Sequence, residues 1–170
     1  VGILVCNSAG NEGDGSWYYI GAPADGDSVF TIGAVDINGN SVSFSSHGPT
    51  FDGRLKPNIV GQGAGTGVVT SNGTVAYGNG TSYSSPLIAG ACASFMSAFP
   101  ELSNMEVMDI IQSTASQADN PDNSMGYGIP NFAKAYMELK GIDLSTENII
   151  SILPNPASDE VTIFINGQET

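Results

Sequence analysis

The sequence is poor in basic residues, and this shortage excludes several kinds of partner. Four lysines and arginines stand against seventeen aspartates and glutamates, which gives a formal net charge of −13 at pH 7. Such a surface repels the phosphates of nucleic acids and anionic membrane surfaces. No apolar run approaches the ~18 residues that a membrane-spanning helix needs. We therefore expect neither nucleic acid nor a lipid bilayer as a partner, and the acidity is typical of a protein that is soluble outside the cell.

Cysteine and histidine are equally scarce. Cys6 and Cys92 are the two cysteines, and each lies in an apolar stretch without a CxxC spacing. We interpret both as small buried hydrophobic residues, with a disulfide bond as the alternative. The single histidine, His47, follows residues 41–46, whose alternating pattern predicts a strand. Carboxylates form no cluster that requires a cation, and we predict no metal and no cofactor in this chain.

The most informative stretch joins a small, polar turn to a small, apolar helix. Residues 80–86 read Gly-Thr-Ser-Tyr-Ser-Ser-Pro, and residues 87–93 read Leu-Ile-Ala-Gly-Ala-Cys-Ala. A serine at such a junction, Ser82, presents its hydroxyl and has its backbone N–H among the free donors of the first helical turn. Those donors favour the negative charge that forms when the hydroxyl attacks a carbonyl carbon. The alternative is a serine that only caps the helix.

Two segments together resemble a known family. The pattern Gly-Thr-Ser-x-x-Ser-Pro at residues 80–86, before a helix of small residues, resembles the nucleophile motif of subtilisin-like serine proteases, the subtilases or peptidase S8 family. Residues 8–13 read Ser-Ala-Gly-Asn-Glu-Gly and are similar to the Ala-Ala-Gly-Asn-Glu-Gly segment of that family. The resemblance implies that Ser82 is the nucleophile and that the side chain of Asn11 donates to the oxyanion. It also implies a P1 pocket whose wall and mouth include Ser8, Ala9, Gly10 and Glu12.

The resemblance covers residues 1–140 and implies an α/β fold, the C-terminal half of a three-layer α/β/α domain with a mostly parallel sheet. The family's Asp and His precede the position of Asn11, so we expect them upstream of residue 1 and expect the isolated fragment to be inactive. The implied parent is a secreted serine endopeptidase that cleaves proteins or peptides through an acyl-enzyme, with the upstream half of its domain as a partner. Structural calcium is common in the family. His47 could be the general base of Ser82 or an ordinary loop residue; the resemblance favours the loop residue, because it places His47 in a structural segment of the family pattern.

A third segment departs from the family pattern. Residues 56–63 read Lys-Pro-Asn-Ile-Val-Gly-Gln-Gly and resemble the family's Lys-Pro-Asp-Ile-Val-Ala-Pro-Gly. We expect Asn58 to lose the capping or cation-binding function of a carboxylate, and we expect Gly61 and Gln62 to loosen a normally rigid turn. These departures support the alternative function, a non-catalytic secreted binding module on a degenerate protease scaffold.

The C-terminal residues predict a second domain. Residues 141–148 are a polar linker, and residues 153–159 read Leu-Pro-Asn-Pro-Ala-Ser-Asp before an alternating strand at residues 160–165. This pattern resembles the opening of the C-terminal sorting domains of the type IX secretion system. It implies that residues 149–170 are the truncated start of a β-sandwich sorting domain, with the secretion machinery as a partner and a secreted or cell-surface location. A generic β-sandwich appendage is the alternative.

Overall fold

A computed structural model describes residues 2–142 and the backbone of three further strands. The chain divides into two compact units, Val1–Ala135 and Tyr136–Thr170. Among the described residues, no helix is long and apolar enough to cross a membrane.

A parallel sheet forms the centre of the first unit. Its strands are β1 (Val5–Ser8), β2 (Val29–Val35) and β3 (Ile59–Gln62), in the order β1-β2-β3. In β2, every residue after Val29 is buried. The mostly apolar sequence of residues 29–35 predicts a strand, and its burial matches a strand that is covered on both faces, as parallel sheets require. The expected α/β class with a parallel sheet is confirmed.

Three helices follow the sheet: α1 (Thr81–Ala98), α2 (Asn104–Ser113) and α3 (Phe132–Lys140). Helix α1 packs against all three strands and buries Ile88, Cys92 and Phe95 in the core. Helix α2 begins with the capping box that Ser-x-x-Glu predicts: the Ser103 side chain accepts from Glu106 N–H, and the Glu106 carboxylate accepts from Ser103 N–H. The core contacts of α1 hold the helix against the sheet.

A hairpin lies between the sheet and α1. It pairs β4 (Thr66–Val69) with β5 (Val75–Gly78) in antiparallel register. The hairpin brings the chain back to Gly80, whose backbone N–H donates to the carbonyl of Gly63 at 2.7 Å. This bond ties the start of α1 to the segment just after β3.

The predicted strand at residues 41–46 is wrong. Only an isolated bridge between Val35 and Ser41 is present there, and the chain then turns, with Ser45 N–H donating to the carbonyl of Val42. The physical reason is that the serines of this stretch bond through their side chains. Ser45 Oγ accepts from Ala34 N–H at 3.1 Å, which leaves the backbone of this segment outside the ladder.

The second unit contains a small antiparallel sheet. Its strands are β6 (Ile150–Leu153), β7 (Thr162–Ile165) and β8 (Gln168–Glu169), paired in that order. Strand β7 falls within the stretch predicted as a strand. The Pro-Asn-Pro of residues 154–156 and the linker residues 143–148 lie outside the described residues. The domain boundaries at residues 140 and 149 therefore stay a prediction.

Candidate active site

Asn11 and the first turn of α1 meet at the carboxyl end of β1. Thr81 donates to Asn11 Oδ1 twice, through its backbone N–H at 2.9 Å and its hydroxyl at 3.0 Å. The same hydroxyl accepts from Gly10 N–H at 3.2 Å. Because a backbone N–H can only donate, these contacts establish which end of the Asn11 amide is oxygen. The amide nitrogen, Nδ2, makes no hydrogen bond to any residue in the range 2–142, so it remains a donor at an exposed position.

Ser82 is the second residue of α1, and its side chain is exposed. The cap residue of this helix is Gly80, and no side chain caps it. The interpretation of Ser82 as a mere helix cap is therefore wrong. Its backbone N–H lies in the first turn, where helical N–H groups lack partners within the helix. Within the described part of the chain this N–H makes no hydrogen bond.

Gly80 shows that these two donor nitrogens lie beside the same space. Its φ is +150°, a value that L side chains rarely adopt. A Cβ atom at this position would lie 3.5 Å from Asn11 Nδ2 and 3.8 Å from the backbone nitrogen of Ser82. The glycine therefore keeps a small volume open between an amide donor and a helix N-terminal donor. An oxygen atom that gains negative charge in that volume would be stabilised by both.

The four predicted pocket residues lie together. Ser8, Ala9, Gly10 and Glu12 line one cavity of about 370 Å³ beside the loop that carries Asn11. Ala9 is buried, and its N–H donates to the carbonyl of Ile32. Their role in binding substrate stays a prediction. Sequence reasoning missed the other residues that line the cavity, which belong to no motif. Two of them, Trp17 and Tyr19, are exposed aromatic residues. The others are Asn7, Gly21, Ala22, Pro23, Ala24 and Ser46.

The contacts of His47 are with the loop of residues 18–20. Its ring stacks on Tyr18, with centroids 4.5 Å apart and planes 7° from parallel. Its backbone N–H donates to the carbonyl of Tyr18, and its carbonyl accepts from Ile20 N–H. No contact between His47 and Ser82 occurs in residues 2–142. The arrangement agrees with a histidine that orders a loop.

Asn58 does cap the backbone, so the expectation of a lost cap is wrong. Its Oδ1 accepts from Thr31 N–H at 2.8 Å and from Lys56 Nζ at 2.8 Å, and its Nδ2 donates to Gln112 Oε1 at 2.7 Å. Lys56 Nζ also donates to the carbonyl of Val29 and to Thr31 Oγ1. An amide oxygen accepts as a carboxylate oxygen does, and it lacks only the charge. Burial lowers the pKa of Lys56 from 10.5 to about 8, and the positive charge of Arg54 adds to this effect, while the more distant Asp27 and Asp25 act in the opposite direction.

Gly61 and Gln62 belong to β3, so the expectation of a loosened turn is also wrong. Gly61 is buried beneath α1. A Cβ atom there would lie 3.1 Å from Ile88 Cγ1 and 3.4 Å from Ser84 Cβ. This glycine therefore permits the close approach of α1, the helix that carries Ser82, to the sheet.

Within the described residues, no group of three or more His, Cys, Asp or Glu side chains could hold a metal ion. The chemistry available at this edge of the sheet is thus a hydroxyl with two oriented N–H donors. That combination suits attack on a carbonyl carbon and stabilisation of the resulting oxyanion.

Comparison with known proteins finds relatives of similar sequence. Subtilisin DY of Bacillus licheniformis is 40% identical over 128 residues, which are 75% of this chain and 43% of that protein. Subtilisin E of Bacillus subtilis (strain 168) is 37% identical over 120 residues, 70% of this chain and 30% of that protein. The chain therefore spans less than half the length of either relative.

Solved structures show the same fold. The prenylagaramide maturation protease PagA matches with a TM-score of 0.65 and 25% identity, over 81% of this chain and 50% of that one. The self-cleaved protease domain of PatA matches with a TM-score of 0.66 and 24% identity, over 82% of this chain and 51% of that one. The expected subtilisin-like α/β fold is confirmed. The model of the Subtilase family, Peptidase_S8, matches residues 1–128, and the chain therefore belongs to the subtilase family.

Proposed function

We propose that the protein carrying this chain is a serine endopeptidase that hydrolyses peptide bonds through an acyl-enzyme at Ser82. One observation carries the proposal: the backbone N–H of Ser82 and Nδ2 of Asn11 flank one small space beside an exposed hydroxyl. In the proposed reaction, Ser82 Oγ attacks the peptide carbonyl carbon, and the two donors stabilise the oxyanion. The intermediate then expels the amine, and water hydrolyses the ester.

Proton transfer requires a general base that these residues do not include. His47 stacks on Tyr18, and we place the catalytic His and its Asp partner before residue 1. The chain is then one part of a catalytic domain, and the upstream part is its structural partner. Rapid labelling of Ser82 by a fluorophosphonate in the 170-residue chain alone would contradict this division.

The substrate class that fits is a protein or peptide. The cavity beside Asn11 has a volume of about 370 Å³, enough to receive a side chain of an extended substrate. Glu12 contributes a carboxylate to its lining. We further propose a secreted or cell-surface location and export through the type IX machinery, on the resemblance of residues 153–159 alone.

A binding module without catalysis is less well supported than the sequence suggested. Its support came from the departures at residues 58, 61 and 62. Asn58 retains the cap on Thr31, and Gly61 packs beneath α1. The scaffold is therefore intact where degeneration was expected.

The decisive experiment is a kinetic comparison in the full-length protein with a peptide substrate. Ser82→Ala should abolish turnover and labelling by a fluorophosphonate. Asn11→Ala should lower kcat roughly 100- to 1000-fold, the loss known for the equivalent donor in a subtilisin, with little change in KM. Asn38→Ala, at an exposed turn, is the matched control and should change neither. Turnover that survives in Ser82→Ala would refute the assignment of the nucleophile.

A further inference from the structure

The fold brings the two cysteines of this chain together. Cys6 lies in β1 and Cys92 in α1, and the two elements pack against each other. Cys92 is buried in the main hydrophobic core, and Cys6 is half-buried and packs against that core. The two thiols are near enough for each to shift the pKa of the other. Both are free thiols in the structure.

The position of this pair relates it to the candidate active site. Strand β1 leads directly into the loop that carries Asn11, and α1 begins with the turn that carries Ser82. The Asn11 loop and the start of α1 are otherwise joined by hydrogen bonds through Thr81. We propose that Cys6 and Cys92 form a disulfide bond once the protein reaches an oxidising compartment, and that this bond links the strand of the oxyanion donor to the helix of the nucleophile.

The thiols differ in a way that orders the steps of oxidation. The interaction between the two thiols lowers the pKa of Cys6, and the same interaction together with burial raises the pKa of Cys92. Cys6 is also the more accessible of the two. Because the thiolate is the attacking species, Cys6 reacts first.

The oxidant is a disulfide, RSSR, either a small molecule or the active-site disulfide of a thiol oxidase. The Cys6 thiolate attacks one sulfur of RSSR, which forms a mixed disulfide and releases one RSH after protonation. Cys92 then loses its proton to solvent, and its thiolate attacks the Cys6 sulfur and releases the second RSH. Two cysteine thiols are thereby oxidised to one disulfide, and RSSR is reduced to two RSH.

The bond would close a long loop of about 86 residues. A cross-link of this kind stabilises mainly by restricting the unfolded chain, and the effect grows with the length of the loop. We expect reduction of the bond to lower the Tm of the protein by about 5–10 °C. The expectation does not depend on turnover, so it is measurable in an inactive Ser82→Ala protein that cannot digest itself.

The first test detects the bond directly. The full-length Ser82→Ala protein is recovered from the exported fraction, denatured without reductant, treated with iodoacetamide and digested with trypsin. Cleavage after Arg54 separates the peptide that contains Cys6 from the peptide of residues 55–134, which contains Cys92. We expect the two peptides to be linked and to separate only after treatment with dithiothreitol. Alkylation of both cysteines before reduction, or linkage of either to another cysteine, would overturn the proposal.

The second test separates a covalent bond from mere packing. We expect dithiothreitol to lower the Tm of the protein with both cysteines to the level of the Cys6→Ser variant, and to leave that variant unchanged. Cys6 is half-buried, so its serine variant retains the packing of the core. In the Cys92→Ala variant, which lacks the buried partner, dithiothreitol should likewise leave the Tm unchanged. A Tm that does not respond to dithiothreitol when both cysteines are present would show that the pair only packs, and the proposal would fail.

Discussion

Replacing Asn58 with Asp should change how the stability of this protein depends on pH. Lys56 is 2% exposed, and its ammonium donates to three oxygen atoms, none of which is a carboxylate. Burial lowers the pKa of Lys56 from 10.5 to about 8. The Asn58 oxygen lies 2.8 Å from Nζ, so the substitution places a negative charge beside the ammonium. Gln112 can rotate its amide and donate to the new carboxylate, which keeps the third contact.

The sign follows from proton binding. Between pH 8 and pH 10.5 the unfolded chain keeps the proton on Lys56, whereas the folded protein releases it. The free energy of unfolding therefore rises with pH through this window, by about 3 kcal/mol in total. A carboxylate at position 58 favours the ammonium and raises the pKa of Lys56 in the folded state. The rise in stability with pH is then lost in Asn58→Asp.

Urea denaturation at a series of pH values measures this effect, in a Ser82→Ala background that prevents self-digestion. Lys56→Met supplies the reference curve, because every other group still titrates in it. We expect the parent to gain about 3 kcal/mol relative to Lys56→Met between pH 8 and pH 10.5. Adding Asn58→Asp to Lys56→Met should lower the free energy of unfolding by about 3–5 kcal/mol, because the double variant buries a carboxylate without a cationic partner. Parallel curves for the parent and Lys56→Met would refute the reasoning.

Three further predictions concern the candidate site in the full-length protein and use the same peptide assay. Thr81→Val removes the hydroxyl that donates to Asn11 and should lower kcat about 2- to 10-fold, whereas Thr81→Ser should retain kcat. If Thr81→Val lowers kcat further in the Asn11→Ala background, the hydroxyl acts on a group other than Asn11. Gly80→Ala introduces a Cβ between the two donors at a φ of +150°, and it should lower kcat more than about 10-fold; an unchanged kcat would mean that the oxyanion forms in another place. His47→Gln removes a stacked ring and should leave kcat/KM within about twofold of the parent. A loss of about 100-fold or more, as expected for a missing general base, would show that His47 is catalytic.

Local signals in the sequence determined much of this protein. The turn and apolar helix around Ser82 predict α1, and the Ser-x-x-Glu pattern at Ser103 predicts the capping box that begins α2. The apolar run at residues 29–35 predicts β2 with its observed bounds. Each of these signals acts over a few residues, where helix capping and strand burial depend on the local side chains. The alternating pattern at residues 41–46 gave a wrong strand prediction, because it reports only local side chains. The serines of this segment instead accept from the N–H groups of Glu12 and Ala34, which lie elsewhere in the chain.

The tertiary structure alone decided which distant residues meet. Thr81 orients the Asn11 amide across 70 residues of sequence, and no local pattern states which end of that amide faces the open space. Trp17 and Tyr19 join the predicted pocket because a loop folds back over the end of β1. Asn58 substitutes for a carboxylate, and the two cysteines meet, only because the strands and α1 pack closely. The family motifs point to Ser82 and Asn11 as candidates, but their geometry depends on contacts that form only when the sheet and the helix come together.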